Sequence, residues 1–487
     1  MSKLFVFGIG GTGARVLKSL TMLLASGVKI NSDKIVPILI DPDTENGDMT
    51  RTVEILKTYE EIYKVLGKGR ESGFFNTEIS TLSSLSDDKL VGINNTFNMN
   101  LGNTINKKFK DFIEYNQLET DTKYLMDMLY SEENLESPLS HGFLGNPNVG
   151  SIVLNHLKNT SEFDFFGSVF AAGDRVFIIS SIFGGTGAAG FPLILKLLRS
   201  NDSELGASAA IRSSKIGAVT VLPYFKLQND DDSQVSSDIF ITKTKAALSY
   251  YNNNITNINA LYYLGDDLSK CKSYQNNDGG SKQTNNAHLI ELVAALSIID
   301  FAGRTDLELA DPNFYEYAIL ENKELVDFDT LGDKTKKLIA KQLSELFYFS
   351  KMNLNYINDE SKCKFDQVWA KQNGIGKEFR NNSVMFKTVL DFCSKYFEQW
   401  LEELQKNERK FSPFDLNADI NDLKTSIRNR TLKKKSLLHL TSGLDYSDFD
   451  QALNGTKPTT SFSTDQKYME MWKKAAKEVV ENKFPNL

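Results

Sequence analysis

Phe183-Gly184-Gly185-Thr186-Gly187-Ala188-Ala189-Gly190 follows an apolar run, Arg175-Val176-Phe177-Ile178-Ile179-Ser180, and precedes a helix-forming stretch from Pro192 to Ser200. A short run that is apolar at successive positions is the pattern of a strand covered on both faces of a parallel sheet. Glycines after it let the backbone turn tightly and approach a ligand that a Cβ would meet. Amides at the start of the next helix then favour an anion such as phosphate. A turn of similar build opens the chain, where Gly8-Ile9-Gly10-Gly11-Thr12-Gly13 separates the apolar run 3–7 from the helical spacing of 14–24. Between them lies a third loop, Gly142-Phe143-Leu144-Gly145-Asn146-Pro147-Asn148-Val149-Gly150. Three such loops at strand ends can surround one polyphosphate from several sides, whereas a dinucleotide fold needs one.

The rest of the chain extends the βα rhythm. Residues 35–40 form a second strand ending at Asp41-Pro42-Asp43, and strand, glycine turn, helix, strand is a βαβ opening with a parallel sheet. Residues 50–140 interrupt it with helix-like stretches at 53–66, 108–115 and 121–129 and a polar middle at 72–106. This reads as an insertion that decorates the sheet without adding a strand. Strands follow at 216–222 and 260–264, with a helix at 237–251 between them and polar loops at 228–236 and 273–283. Residues 286–299 are apolar on nearly every face, as in a helix buried at the centre of a large protein. Beyond them, 334–349, 384–406 and 465–483 carry amphipathic stripes. The boundary expected is 1–301 for a nucleotide-binding domain, with its insertion at about 50–140, and 302–487 for a second domain.

Composition narrows the function classes. The chain has 487 residues, 41% hydrophobic and 24% charged, with a net charge of −7. A soluble protein with a sizeable core fits these values, and nucleic acid is an unlikely partner for so acidic a surface. Only one short basic run, Arg428 to Arg430 and Lys433 to Lys435, interrupts that balance, and it reads as a solvated face, so any membrane contact is peripheral. The three cysteines lie far apart and without CxxC spacing, which excludes a disulfide framework or zinc ribbon. No signal-peptide pattern precedes the first strand, and a cytoplasmic location is expected. The first turn also satisfies GxGxxG, so an NAD(P)- or flavin-binding Rossmann oxidoreductase stays open as an alternative. Asp41 would be its ribose-binding acid, although it follows Gly13 by 28 residues rather than the usual ~20.

The four motifs, in this order, resemble the tubulin/FtsZ superfamily, and most closely the bacterial tubulin-like, FtsZ-like proteins. FtsZ opens with a glycine-rich turn of the same length, and its second strand ends in an Asn-Thr-Asp-like turn where this chain has Asp41-Pro42-Asp43. Its phosphate loop ends Asn-Pro-Glu-Val-Gly, matched by Asn146 to Gly150, and the signature Gly-Gly-Gly-Thr-Gly-Ser/Thr-Gly is matched by Gly184 to Gly187. The resemblance spans residues 1 to about 306. It implies a Rossmann-like parallel-sheet α/β GTPase domain of tubulin/FtsZ type with a central buried helix, then a C-terminal α+β or mainly helical domain.

The resemblance implies GTP or GDP as ligand, with Mg²⁺. Gly10, Gly11, Thr12 and Gly13 would meet the phosphates, as would Gly184, Gly185, Thr186 and Gly187, with Gly145 and Asn146 near the γ-phosphate. Asn285 or Asn286, at the head of the apolar helix, would read the guanine edge, and either residue also suits a helix cap. Asp41 and Asp43 would hold Mg²⁺ through water, or serve only the turn. Function would come from nucleotide-dependent self-association, as in a filament, or from a conformation read by partner proteins through the insertion or the C-terminal domain.

The chain departs from the pattern in three places. Ala14-Arg15 stand where FtsZ has an Asn, which removes an expected base or ribose contact. Phe183 and Ala189 replace the outer glycines of the signature. The acidic loop that FtsZ inserts into the next subunit, Asn-x-Asp-Phe-Ala-Asp, is here Ile298-Ile299-Asp300-Phe301-Ala302-Gly303. Asp300 is therefore the candidate catalytic acid, with Asp327 and Asp329 a second choice, and a non-hydrolysing scaffold is the remaining alternative.

Overall fold

The computed structural model describes residues 2–43, 45–67, 73–86, 93–102, 107–143, 145–201, 208–227, 237–267, 271, 273–274, 280–317, 324–432 and 443–487. The polar loop 228–236, most of 275–283 and the basic run 433–435 fall wholly or largely outside them. Seven strands form one sheet: β1 (Lys3–Ile9), β2 (Lys34–Ile40), β3 (Glu78–Ile79), β4 (Arg175–Ser181), β5 (Lys215–Val221), β6 (Ala260–Leu264) and β7 (Asn313–Tyr317). Their spatial order is β3-β2-β1-β4-β5-β6-β7, and every pairing is parallel. The order reverses between β1 and β4, whose residues pair from Leu4 with Arg175 to Gly8 with Ile179. In open α/β sheets the crevice at the carboxyl ends of two such strands is where ligands bind. The two glycine-rich turns of the sequence leave β1 and β4 at that crevice.

Helices α1 (Gly10–Ala25), α2 (Gly47–Leu66) and α6 (Leu289–Gly303) cover one face of the sheet. Helices α3 (Pro147–Leu154) and α4 (Gly185–Arg199) belong to the other, with α5 (Ser237–Asn254) set against α4 through Tyr251 on Phe191. Both glycine turns become the first turn of a helix rather than a loop before one, so α1 starts at Gly10 instead of Ala14 and α4 at Gly185 instead of Pro192. Close packing explains the glycines there. A Cβ on Gly13 would lie 2.4 Å from the Gly8 carbonyl carbon, and one on Gly187 would lie 2.6 Å from the Ser181 carbonyl oxygen. Pro192 is inside α4, which continues past it.

The insertion does add to the sheet, against expectation. β3 pairs with the start of β2, and Phe97 and Met99 continue the pairing at its end, where Leu39 donates to the Phe97 carbonyl and accepts from the Met99 amide, both at 2.8 Å. These two contacts bring polar, irregular segments to the open edge of β2 and satisfy backbone groups that the edge would otherwise expose.

The sheet also extends past residue 302, because its last strand is β7. Beyond β7 the chain is mainly helical: α7 (Asp333–Met352), a rod ending in α8 (Gln399–Lys406), and α9 (Thr464–Lys483), with one two-residue parallel pairing of Leu325–Val326 and Lys410–Phe411. α1 lies between the sheet and these helices, and every residue in it except Gly11 is buried. One continuous hydrophobic cluster runs from Leu4 to Leu487. The three cysteines are free and buried in or beside it. Among the described residues no helix is long and apolar enough to cross a membrane.

Candidate functional site

The three glycine loops meet at the β1–β4 crevice. Gly10 has φ +69°, a conformation open to glycine, and a Cβ on it would lie 3.6 Å from Thr186 Cβ and 4.0 Å from Asp41 Oδ2. Gly142 faces the same threonine, 3.9 Å from Thr186 Oγ1 on the same measure. A Cβ on Gly185 would lie 3.1 Å from the amide nitrogens of both Gly145 and Asn146. The loops are thus in close contact, and they bring the N-termini of α1, α3 and α4 together at the crevice. Asn146 precedes Pro147, the first residue of α3, a position where the missing proline N–H costs no hydrogen bond. Lys243 on α5, which sequence reading passed over, donates to the Gly145 carbonyl and ties that helix to the third loop. Burial lowers the pKa of its ammonium.

Asp41 and Asp43 differ in what they have to offer. Both oxygens of Asp43 accept amide hydrogen bonds, from Glu45 at 3.1 Å and from Gly280 at 2.6 Å. Asp41 accepts one, from the Asp43 amide at 3.0 Å, through Oδ1, and its Oδ2 points toward Gly10. Burial, with the Asp43 charge adding to it, pushes the Asp41 carboxyl up to about 7 despite that amide bond. Among the described residues no group of three or more His, Cys, Asp or Glu side chains converges to hold a metal ion.

On the other side of the first turn is a buried ion network that the sequence reading did not foresee. Arg15, expected only as a lost contact, donates from Nε to Glu291 Oε1 and from Nη1 to Asp48 Oδ2, both at 2.5 Å, and from Nη2 to the Tyr224 hydroxyl at 2.7 Å. A Cβ on Gly11 would lie 3.4 Å from Arg15 Nη1 and 3.7 Å from Asp48 Oδ2, so the network forms the floor under that glycine. Burial opposes the charge on Arg15, but Tyr224, Glu291 and Asp48 outweigh it and hold the guanidinium ionised. Arg51 Nη2 bonds the second oxygen of Asp48 at 2.7 Å, and Arg51 Nη1 reaches Glu403 on α8 at 3.1 Å. Glu403 also accepts from Lys18 at 2.6 Å and from the Ala287 amide at 2.8 Å. Three cations and three carboxylates therefore join α1, α2, α6 and the C-terminal helices. One sequence signal pointed here: Glu291 is the single charge in the run from Leu289 to Ile299.

The head of α6 also differs from expectation. The helix begins at Leu289, not Asn286, and His288 is its cap, accepting from the Ile290 amide at 3.1 Å while Glu291 accepts from the His288 amide at 2.9 Å. Burial lowers the His288 imidazole to about 4, which keeps it neutral and able to accept. Neither Asn285 nor Asn286 caps the helix. Asn285 instead lies against Asp48, donating its backbone amide to Oδ1 at 3.1 Å, and its carbonyl accepts from Arg51 at 2.8 Å. Asn46, the cap of α2, accepts from the amides of Asp48 and Met49 and donates to Gln283 at 2.7 Å.

Asp300 lies near the opposite end of α6, about 16 Å along the axis from Leu289 at 1.5 Å per residue. At that end Arg175, the first residue of β4, donates to the carbonyls of Phe301, Ala302 and Arg304, which marks it as the amino edge of the sheet. Asp300 accepts from Tyr262 and Arg304 at 2.7 Å and from Lys334 at 3.1 Å. Burial raises its pKa, but these donors outweigh that and leave it below the ordinary range. Asp327 and Asp329 are farther into the C-terminal segment. Asp327 closes a turn through Thr330 and bonds Asn429, and Asp329 pairs with Lys336 and Arg430.

No protein-family model matches the chain, and no curated protein does. Among solved structures it is similar to CetZ from Methanosaeta thermophila strain DSM 6194, at 12% identity over 54% of this chain and 46% of that one, with a TM-score of 0.25. It is also similar to CetZ2 from Haloferax volcanii, solved as a GTPγS-bound protofilament, at 11% identity over 64% of each chain, with a TM-score of 0.30. The chain spans about half of the first and just under two-thirds of the second. In its own strand order and element order the fold is α/β, a seven-stranded parallel sheet with helices on both faces.

Proposed function

We propose that the chain is a tubulin/FtsZ-like nucleotide-binding protein that holds GTP or GDP, with Mg²⁺, at the β1–β4 crevice. It would act by nucleotide-dependent self-association or by a conformation that partner proteins read from the insertion or the C-terminal helices. The observation that carries this reading is the meeting of three glycine loops around Thr186. Several helix starts brought to one crevice would offer backbone amides to a polyphosphate and need no basic surface, in keeping with the net charge of −7. A dinucleotide fold would need only one such turn.

Asp41 would hold Mg²⁺ through its free-facing oxygen and bound water, because this cation takes one or two carboxylates and completes its shell with phosphate oxygens and water. Asp43 would act behind it, holding the turn through its two amide bonds. When bound, the metal would neutralise phosphate charge. Hydrolysis is the less supported half of the reading. Asp300 is too far along α6 to reach this chain's own loops, so it would serve only the crevice of a neighbouring copy stacked head to tail. A carboxylate held below its usual range is a poor proton acceptor, and its role there would be to orient water.

The test is to denature the purified protein, identify the small molecule released, and then assay GTP turnover and sedimentation with and without GTP. Released GDP or GTP supports the reading. A nicotinamide or flavin would move the chain to the oxidoreductases, and no ligand with no affinity for GTP would leave a scaffold. Asp300→Ala is expected to keep nucleotide binding and to lose turnover; unchanged turnover would remove Asp300 from the mechanism.

A further inference from the structure

We infer that the helix Thr120–Leu129 of the insertion is a docking face, and that its occupant is the basic segment 433–442 of a second copy of the chain. The inference does not rest on the nucleotide-binding reading above.

A helix on a protein surface normally turns its apolar side inward and its polar side to water. This helix does the reverse. Tyr124, Leu125, Met128 and Leu129 are 64%, 46%, 77% and 56% exposed, and no residue of the helix is buried. Spacings of one, four and five residues put these four on one stripe. The side toward the body carries Thr122, Lys123 and Met126, which are half-buried. Lys123 donates to the Asn116 carbonyl at 3.0 Å, and Met126 packs against the core. Single apolar side chains at a surface are ordinary, but a contiguous stripe marks an interaction site.

The rim says what chemistry covers the stripe. Residues 107–136 hold eight carboxylates against four lysines. Asp121 and Asp127 of the helix, with Glu119 and Glu132 beside it, are exposed. Lys108 and Lys110 are both engaged by Glu136. The face is apolar in the middle and negative around it, which repels a second face of the same kind and attracts a segment that is basic beside apolar. The chain has one run of three consecutive cations, Lys433-Lys434-Lys435, and Leu437, Leu438 and Leu440 follow it. Alone that run reads as a solvated face; against this helix it has both the charge and the apolar surface required.

Within one molecule the two are far apart. Tyr130, directly after the helix, packs on Phe109 and donates to the Asn148 carbonyl of α3 at 3.5 Å, at the crevice end of the sheet. Arg430 pairs with Asp329, which also pairs with Lys336, and Lys334 bonds Asp300 at the amino edge. Arg430 belongs to the C-terminal segment, with α1 and the sheet between it and α3. Packed layers are about 10 Å thick each, and the three lysines lie within about 18 Å of Arg430 because at most five residues separate them. A copy's own lysines therefore fall short of its own stripe, and the occupant comes from a neighbour. Face and segment lie at different ends of the molecule, so the contact is heterologous and repeats from copy to copy.

Sedimentation velocity on the full chain without nucleotide tests the contact. The wild type is expected to associate beyond a dimer as concentration rises, and to lose at least about tenfold in affinity between about 0.05 M and about 0.5 M salt. A face variant, Leu125→Asp with Met128→Asp, changes exposed positions only and is expected to stay monomeric. So is a segment variant, Lys433→Glu with Lys434→Glu and Lys435→Glu. An equimolar mixture of the two is expected to form a complex that stops at one of each, because one chain keeps the segment and the other keeps the face. A wild type still monomeric at about 100 μM, association that either variant retains alone, a mixture that stays monomeric, or association indifferent to salt overturns the inference. Association that needs GTP and survives in both variants upholds the proposed function while overturning this contact.

Discussion

Replacing Glu403 by glutamine tests the ion network most directly, because it keeps the shape of the side chain and removes only its charge. Glu403 is 3% exposed, and its oxygens take Lys18, Arg51 and the Ala287 amide. A glutamine still offers one acceptor, so the Ala287 amide need not be orphaned. Arg51 has a 27% exposed side chain and keeps Asp48, so its loss is worth at most about 1 kcal/mol. The cost falls on Lys18, 4% exposed, for which Glu403 is the sole carboxylate within ion-pair distance among the described residues. Removing one partner of a buried pair destabilises by about 3–5 kcal/mol. Burial already lowers the Lys18 pKa, with Glu403 opposing, so the substitution lowers it further. A lysine whose folded pKa is below its unfolded value near 10.4 makes stability rise with pH between the two. The deficit of Glu403→Gln should therefore be largest at low pH and shrink as pH climbs toward 10. Urea unfolding at several pH values measures it, and Lys18→Met in the same background should restore all but about 1 kcal/mol. A loss under 1 kcal/mol, or a double variant no more stable than Glu403→Gln, would refute the reasoning.

Other outcomes follow from the crevice. Asp41, with its folded pKa raised to about 7 against about 3.9 unfolded, contributes stability that is present below pH 4 and lost as pH rises through 7. Asp41→Asn should therefore gain on the wild type by about 4 kcal/mol between pH 4 and pH 8 in urea melts, and a constant difference would show that the carboxyl titrates normally. Gly13→Ala places a Cβ 2.4 Å from the backbone of Gly8 and should cost about 1–3 kcal/mol or more, whereas Gly303→Ala, with nothing within 4 Å, should stay within about 0.5 kcal/mol. Equal melting temperatures for these two alanine variants would contradict the packing account.

What the sequence disclosed was the part encoded by local composition. β1, β2, β4, β5 and β6 are apolar runs too short for helices, and the glycines that end two of them mark tight turns with close backbone approach. The central helix was legible because charge is almost absent from it. Helix starts were less so, since glycine disfavours helices and Gly10 and Gly185 nonetheless lead them where backbones must touch. β3 was missed because two residues inside a polar segment carry no periodicity, and it pairs only because the edge of β2 is available. Arg15, Asp48, Glu291 and Glu403 come from distant parts of the chain, and nothing local says that a charged residue will be buried against three others. The cap considered for Asn285 or Asn286 falls to His288, and the Asn285 contact was hidden for the same reason: its partner, Asp48, is 237 positions away.

The placement of α1 bears on how the molecule can be divided. With the sheet on one side and the C-terminal helices on the other, α1 has Trp400 bonded to its Ser19 at 3.2 Å and Lys473 bonded to the Ser26 carbonyl that follows it at 3.0 Å. A chain cut at residue 301 would lose an edge strand and lay bare an apolar helix that carries unpaired Lys18. Such a fragment has no surface fit for water where its partner was, and aggregation is the expected fate. A nucleotide bound at the first glycine turn, as proposed, would therefore grip the same helix that the C-terminal helices hold from behind.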